Sequence, residues 1–213
     1  MTAPSAPLAA VRGDVGRYYS DRLGRFGSTP LGVGWTCLPT QELRFVQLAK
    51  LFGGDATFSL NDIGCGYGAL LAYLRKRHRN ARVDYLGLDL SQAMVDEAQR
   101  KWNKAAGARF AVSPDAYRVA DYCVASGIFN VKLAHDRTTW EQFVSQTITE
   151  MYGRCRHGTA VNFLAEHAGL DDVAEHYRCS PDTWTAFART LGASVELREG
   201  YGMPEFTLLL RRH

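Results

Sequence analysis

No apolar run in this chain is long enough to cross a bilayer, which excludes a helical membrane span. The opening, Met1-Thr2-Ala3-Pro4-Ser5-Ala6-Pro7-Leu8, lacks the basic region and apolar stretch of a secretory leader, so a cytoplasmic location is expected. Charge of one sign is scarce too. Twenty-five Lys and Arg stand against 22 Asp and Glu, and a net charge of +3 is too small to point to nucleic acid. The five cysteines, Cys37, Cys65, Cys123, Cys155 and Cys179, form no C-x-x-C pair. An odd count without ligand spacing reads as reduced thiols rather than a disulfide framework, and no compact acid and histidine cluster suggests a metal. What remains is an ordinary globular composition, 46% hydrophobic and 22% charged over 213 residues. That is enough for one sizeable core but short for a dehydrogenase with a separate substrate domain.

The most informative stretch is Leu60-Asn61-Asp62-Ile63-Gly64-Cys65-Gly66-Tyr67-Gly68-Ala69-Leu70-Leu71. An apolar run ends in an acid, glycines follow at alternate positions, and a helical pattern begins. This predicts a buried strand, a tight turn and a helix N-terminus. Glycine there supplies positive φ and lets a ligand approach the backbone. The unpaired N–H groups of the new helix favour an acceptor-rich or anionic ligand. The glycines fit two templates. As Gly-x-Gly-x-x-Ala they match a dinucleotide fingerprint weakly. As Asp-x-Gly-x-Gly-x-Gly they also account for Asp62 and Gly68.

A second strand, Arg82 to Asp89, ends in an acid about twenty residues further on, where a carboxylate can accept bonds from two ribose hydroxyls. Ser91 then stands as the N-cap of another helix. The first motif resembles motif I of the class I S-adenosylmethionine (SAM) methyltransferases. Gly87-Leu88-Asp89-Leu90-Ser91-x-x-Met94-x-x-x-Ala98 resembles their motif II. The resemblance implies SAM as cofactor, with S-adenosylhomocysteine as product. It places Asp62, Gly64, Cys65, Gly66, Gly68, Asp89, Leu90 and Met94 at the cofactor, with a packing role also open for Cys65. The family often sets an acid after the third strand. Here Ser113-Pro114-Asp115 departs from that pattern, and Ser113 and Asp115 stand as the cofactor residues of that loop or as a simple turn.

Further along, Asp121 to Val131 reads as a buried strand running into a loop at the edge where open parallel sheets bind ligands. Ala125-Ser126-Gly127-Ile128-Phe129-Asn130-Val131 resembles motif IV of a bacterial group within the family. Ser126 and Gly127 are assigned to the cofactor, and Phe129 and Asn130 to the substrate. The Asn/Asp-Pro-Pro-Tyr/Phe motif of many nucleobase and glutamine N-methyltransferases is missing, which argues against DNA adenine methylation. His135 is the candidate general base, with a surface loop histidine as the alternative. Asn162 on the fifth strand is either a polar group at the ligand edge or a core amide.

Residues 1 to about 12, rich in Ala and Pro, are expected to form a poorly ordered arm. A short helix over 14–23, a loop over 24–40 and a helix over 41–52 should follow. Together these resemble the helical lid of small-molecule methyltransferases. Tyr18, Tyr19 and Trp35 are candidates to face the substrate or the sulfonium, or to pack the lid. Short helices are expected over 171–177 and 180–191. Strands over 193–199 and 205–211, joined by five residues, must be antiparallel. Tyr201 in that link either reaches the substrate or shapes the hairpin.

These readings predict a three-layer α/β/α sandwich. Its seven-stranded sheet has six parallel strands and one antiparallel, with residues 1–54 as arm and lid and 55–213 as the SAM-binding domain, and the resemblance to the methyltransferases implies the strand order 3-2-1-4-5-7-6. The implied function is methyl transfer from SAM to an oxygen or nitrogen of a small-molecule acceptor, without nucleic acid or membrane. The sequence does not specify an oligomeric state. The rivals are an NAD(P)-dependent oxidoreductase on the same half-site, an RNA- or protein-directed methyltransferase, and a non-catalytic SAM-binding protein.

Overall fold

The computed structural model describes residues 6–113, 118–166 and 175–213. The chain begins in α1 (Ala6–Phe26), passes a 3₁₀ turn at Leu31–Val33, and enters α2 (Leu38–Ala49). It then runs β1 (Thr57–Ile63), α3 (Ala69–Arg77), β2 (Arg82–Asp89), α4 (Gln92–Lys101), β3 (Ala108–Val112) and β4 (Ala120–Ala125). It continues as α5 (Arg137–Gly153), β5 (Cys155–Ala165), β6 (Arg178–Cys179), α6 (Pro181–Thr190), β7 (Ser194–Arg198) and β8 (Glu205–Arg211).

The strands form one sheet in the order β3-β2-β1-β4-β5-β8-β7. β1 to β5 are mutually parallel, and β8 is antiparallel to both β5 and β7. This is the expected path with one addition. The two-residue β6 pairs in parallel with Leu164 and Ala165 at the far end of β5, making eight strands.

Side chains alternate across the sheet and divide the core into two layers. Ile63, Leu88, Ala125, Val161 and Phe206 face a cluster shared with α1, α5 and α6. Leu60, Tyr85, Val124, Ala160 and Leu209 face the opposite cluster, shared with α2 and α3.

The N-terminal arm differs from expectation, because α1 already begins at Ala6. Alanine is the best helix former, and Pro7 in the first turn removes no helical hydrogen bond. Leu8, Val11 and Val15 recur at helical spacing and bury themselves in the same cluster as Ile63 and Phe129. The loop over 24–40 is shorter than expected, since α2 starts at Leu38 with Pro39 in its first turn. Most of the helix expected over 171–177 lies outside the described residues. Within them, Glu175 to Tyr177 lead into β6.

Other helix starts follow their caps. The Ser91 hydroxyl accepts from the Met94 N–H at 3.1 Å, and the Asp136 carboxylate accepts from the Thr139 N–H at 2.9 Å. Ser180 caps α6 in the same way. No helix among the described residues is long and apolar enough to cross a membrane.

Candidate active site

The glycine turn after β1 and the acid ending β2 meet at the C-terminal edge of the sheet. Gly66 has φ +53°, a left-handed conformation that glycine adopts without strain. Its N–H donates to Asp89 Oδ2 at 2.8 Å, and the Ser91 N–H donates to Asp89 Oδ1 at 2.9 Å. Asp89 thus sets the turn's shape and keeps acceptor capacity on both oxygens. Both residues border a cavity of about 900 Å³, counted with its mouth.

Asp62 lines the same cavity and is 2% exposed. Its Oδ2 accepts from the Tyr85 hydroxyl. Burial pushes its pKa from 3.8 to about 7, and the Asp89 charge adds to that rise, while the Tyr85 bond opposes it. Burial likewise raises Asp89, against the opposing bonds from Ser91, Gly66 and Leu90. These are the only ionic side chains among the described residues lining the cavity, and both are acids.

Gly64, Cys65, Leu90, Met94, Ser113 and Gly127 also line the cavity. So does Ser126, whose buried hydroxyl has no hydrogen-bond partner. A buried orphan hydroxyl at a cavity wall is the condition a ligand relieves. Burial raises the Cys65 thiol well above its ordinary pKa, so the residue is a small apolar neighbour of the two acids rather than a thiolate. Tyr19 and Trp35 reach the cavity from the N-terminal segment. Burial, then the neighbouring Tyr18 and Asp89, raise the Tyr19 phenol, which stays a neutral donor.

Other sequence-derived positions fall elsewhere. Gly68 starts α3 at φ +82°, and a Cβ there would sit 2.4 Å from Trp102 Nε1, so indole packing rather than the cavity requires glycine. Phe129 is fully buried and stacks on Phe163 at 5.2 Å, because a large apolar ring at a strand's end gains more in the core. Asn130 is buried behind the wall, with neither amide atom hydrogen-bonded. Tyr18 packs edge-on against Tyr19 at 5.1 Å outside the lining. The Tyr201 hydroxyl meets Thr207 Oγ1 at 3.1 Å in the terminal hairpin. His135 does not line the cavity; its Nε2 lies 3.0 Å from Asp14 Oδ2 of α1. Asp115 lies outside the described residues. Asn162 is fully buried, and its Oδ1 accepts from the Gly127 N–H at 2.7 Å, so it holds the turn that borders the cavity.

Sequence reasoning missed the walls supplied by helix faces. Gln41 and Phe45 come from α2, and Phe143 and Thr147 from α5, each pair four residues apart on one face. Val15 and Val33 complete the cover. α1 lies directly on the turn after β2. A Cβ at Gly16 would be 3.1 Å from the Leu90 carbonyl oxygen, and Ser20 Oγ is 2.8 Å from Ser91 Oγ.

A mostly parallel sheet with a glycine turn after β1, an acid ending β2 and a terminal antiparallel hairpin defines a Rossmann-like methyltransferase fold. Comparison with known proteins agrees. A family described as "Methyltransferase domain" matches residues 61–158. A Mycobacterium tuberculosis protein named as a methyltransferase is 37% identical over 157 residues, covering 73% of this chain and 93% of that protein. The chain belongs to the class I SAM-dependent methyltransferases.

Solved structures share the fold at low identity. Magnesium protoporphyrin IX methyltransferase from Synechocystis, with bound S-adenosylhomocysteine, aligns with a TM-score of 0.67 and 18% identity over 96% of this chain and 99% of that one. Human N-acetylserotonin methyltransferase with SAM aligns at 0.62 and 13% identity, over 99% of this chain and 60% of that one.

Proposed function

We propose that this protein transfers a methyl group from SAM to an oxygen or nitrogen of a small-molecule acceptor. The observation that carries this reading is the single cavity joining the Gly64–Gly66 turn, Asp62 and Asp89 at one sheet edge. Asp89 has acceptor capacity for two ribose hydroxyls, and Asp62 suits a ligand ammonium. Bound there, SAM supplies an activated methyl carbon, which an acceptor lone pair takes as the carbon–sulfur bond breaks, leaving S-adenosylhomocysteine.

The chain's part is alignment and exclusion of water. Residues 1–54 act as a lid in this reading: Val15, Tyr19, Val33, Trp35, Gln41 and Phe45 cover the cavity from that segment. A cover so close suits a small acceptor. The solved relatives named for magnesium protoporphyrin IX and N-acetylserotonin, both small molecules, lend support. With His135 tied to Asp14, an acceptor proton would leave to water. Five free cysteines suit a cytoplasmic setting.

Calorimetric titration with SAM, S-adenosylhomocysteine and NADH tests the reading. Saturable binding of the first two without NADH is the expected result. Binding of NADH alone would replace the methyltransferase with an oxidoreductase.

A further inference from the structure

Resting on the methyl-transfer reading, we infer that Trp35 is the stacking platform for a planar, electron-rich, uncharged acceptor, and that Arg44 and Glu205 are positioning residues that hold and polarise it. Arg44 of α2 and Glu205 of β8 form a buried, two-pronged ion pair. Arg44 Nε donates to Glu205 Oε2 at 2.7 Å, and Nη2 donates to Oε1. Nη1 donates to the Thr40 carbonyl at 2.7 Å. The two side chains are 7% and 2% exposed. A buried pair of this kind gains little net stability over apolar residues of similar volume, so stability alone does not account for it.

Its geometry suggests a use. The guanidinium carbon lies 3.6 Å from the centre of the Trp35 ring system. The far edge of the indole rests on Gly127, where a Cβ would come within 2.1 Å of Cζ2. One face and one edge are therefore taken, and Trp35 meets the cavity with what remains. Three elements far apart in sequence fix that ring: α2, the turn after β4, and the last strand.

The chemistry of the wall follows. A cation against one face draws electron density from the indole, so the other face is a poor seat for a sulfonium or ammonium and a good one for an electron-rich ring. Val33, Phe45, Ile128 and Phe143 add apolar surface to the cavity. No cationic side chain lines it among the described residues, so an anionic acceptor would find no partner there.

The test compares 2-naphthol with its saturated counterpart trans-2-decalol, each titrated calorimetrically into protein loaded with S-adenosylhomocysteine. The naphthol should bind about fivefold tighter or more, the scale of an aromatic stacking gain. Trp35→Leu should abolish that preference. Glu205→Gln should reduce it while leaving S-adenosylhomocysteine affinity within about twofold, which a general loss of structure would not do. Because Glu205→Gln strands a buried guanidinium, the double variant Arg44→Met/Glu205→Met provides a folded alternative with the same expected loss. Equal binding of the two probes, binding of neither, or an unchanged preference in Trp35→Leu or the double variant overturns the inference. Failure of the wild type to bind S-adenosylhomocysteine would instead overturn the methyl-transfer reading.

Discussion

At residue scale, Asp62 carries the sharpest consequence. In an unfolded chain it ionises near pH 3.9, about its ordinary value. In the folded protein it does so at about 7. Between those values the native state holds a proton that the unfolded state has lost. The ligand-free protein should therefore lose stability as pH rises through that window. Denaturant midpoints at about pH 4.5 and 7.5 check the sign: the wild type falls, and Asp62→Asn falls less. Ligand binding should show the opposite trend. An ammonium beside Asp62 favours its ionised form, so S-adenosylhomocysteine affinity should rise between about pH 6 and 8, with proton release. Calorimetry in two buffers of different ionisation enthalpy measures that proton, and an unchanged heat removes Asp62 from the contact.

Asp89 holds two backbone N–H groups as well as facing the cavity. Asp89→Ala should weaken S-adenosylhomocysteine binding by about 1.5–3 kcal/mol and also destabilise the fold, since two buried donors lose their acceptor. Asp89→Asn retains an acceptor and should lose less stability than affinity. A chemical-denaturation series beside the titrations separates the two effects.

At the scale of elements, the position of α1 and its tie to the loop after β4 matter most. The Asp14–His135 contact joins the covering helix to the segment leading into α5. His135→Gln should leave S-adenosylhomocysteine affinity near the wild-type value but speed amide exchange in α1 relative to the central strands. Equal protection of α1 in both proteins would show that Leu8, Val11 and Val15 alone hold the helix down.

This scale also shows where the sequence was legible. The Asp62–Gly68 run, Asp89 and the Ser91 cap declare themselves because turn geometry, strand ending and capping are written in neighbouring residues. Gln41, Phe45, Phe143 and Thr147 do not. Their spacing marks one face of a helix, but only sheet topology says which cavity that face meets. Phe129 was misjudged for a related reason: its place after a strand locates it, while core packing decides which way the ring turns. The arm over 6–12 was misjudged because its Ala and Pro content outweighed the spacing of two apolar residues, Leu8 and Val11.

At the scale of the molecule, the order of strands was legible almost throughout. The resemblance to the methyltransferases supplied that order, and a five-residue link admits only an antiparallel pair. The two-residue β6 was not, since so short a strand has no pattern of its own. The cavity lies between the sheet edge and its helical cover, so ligand binding should stabilise the whole chain. At a ligand concentration about a hundred times Kd, mass action adds about 2.7 kcal/mol, or roughly 5–10 °C in Tm for a chain this size. A shift that fails to grow with ligand concentration would mean that the ligand does not bind the native state preferentially.

The Arg44–Glu205 pair spans 161 positions of sequence, and β8 slots between β5 and β7. A ribosome delivers Glu205 161 residues after Arg44. Until β8 emerges, the sheet has a gap and the indole above Gly127 has no support behind it. The growing chain therefore has the glycine turn long before the cavity wall behind Trp35 is complete, and a product cut short before Glu205 would lack that wall.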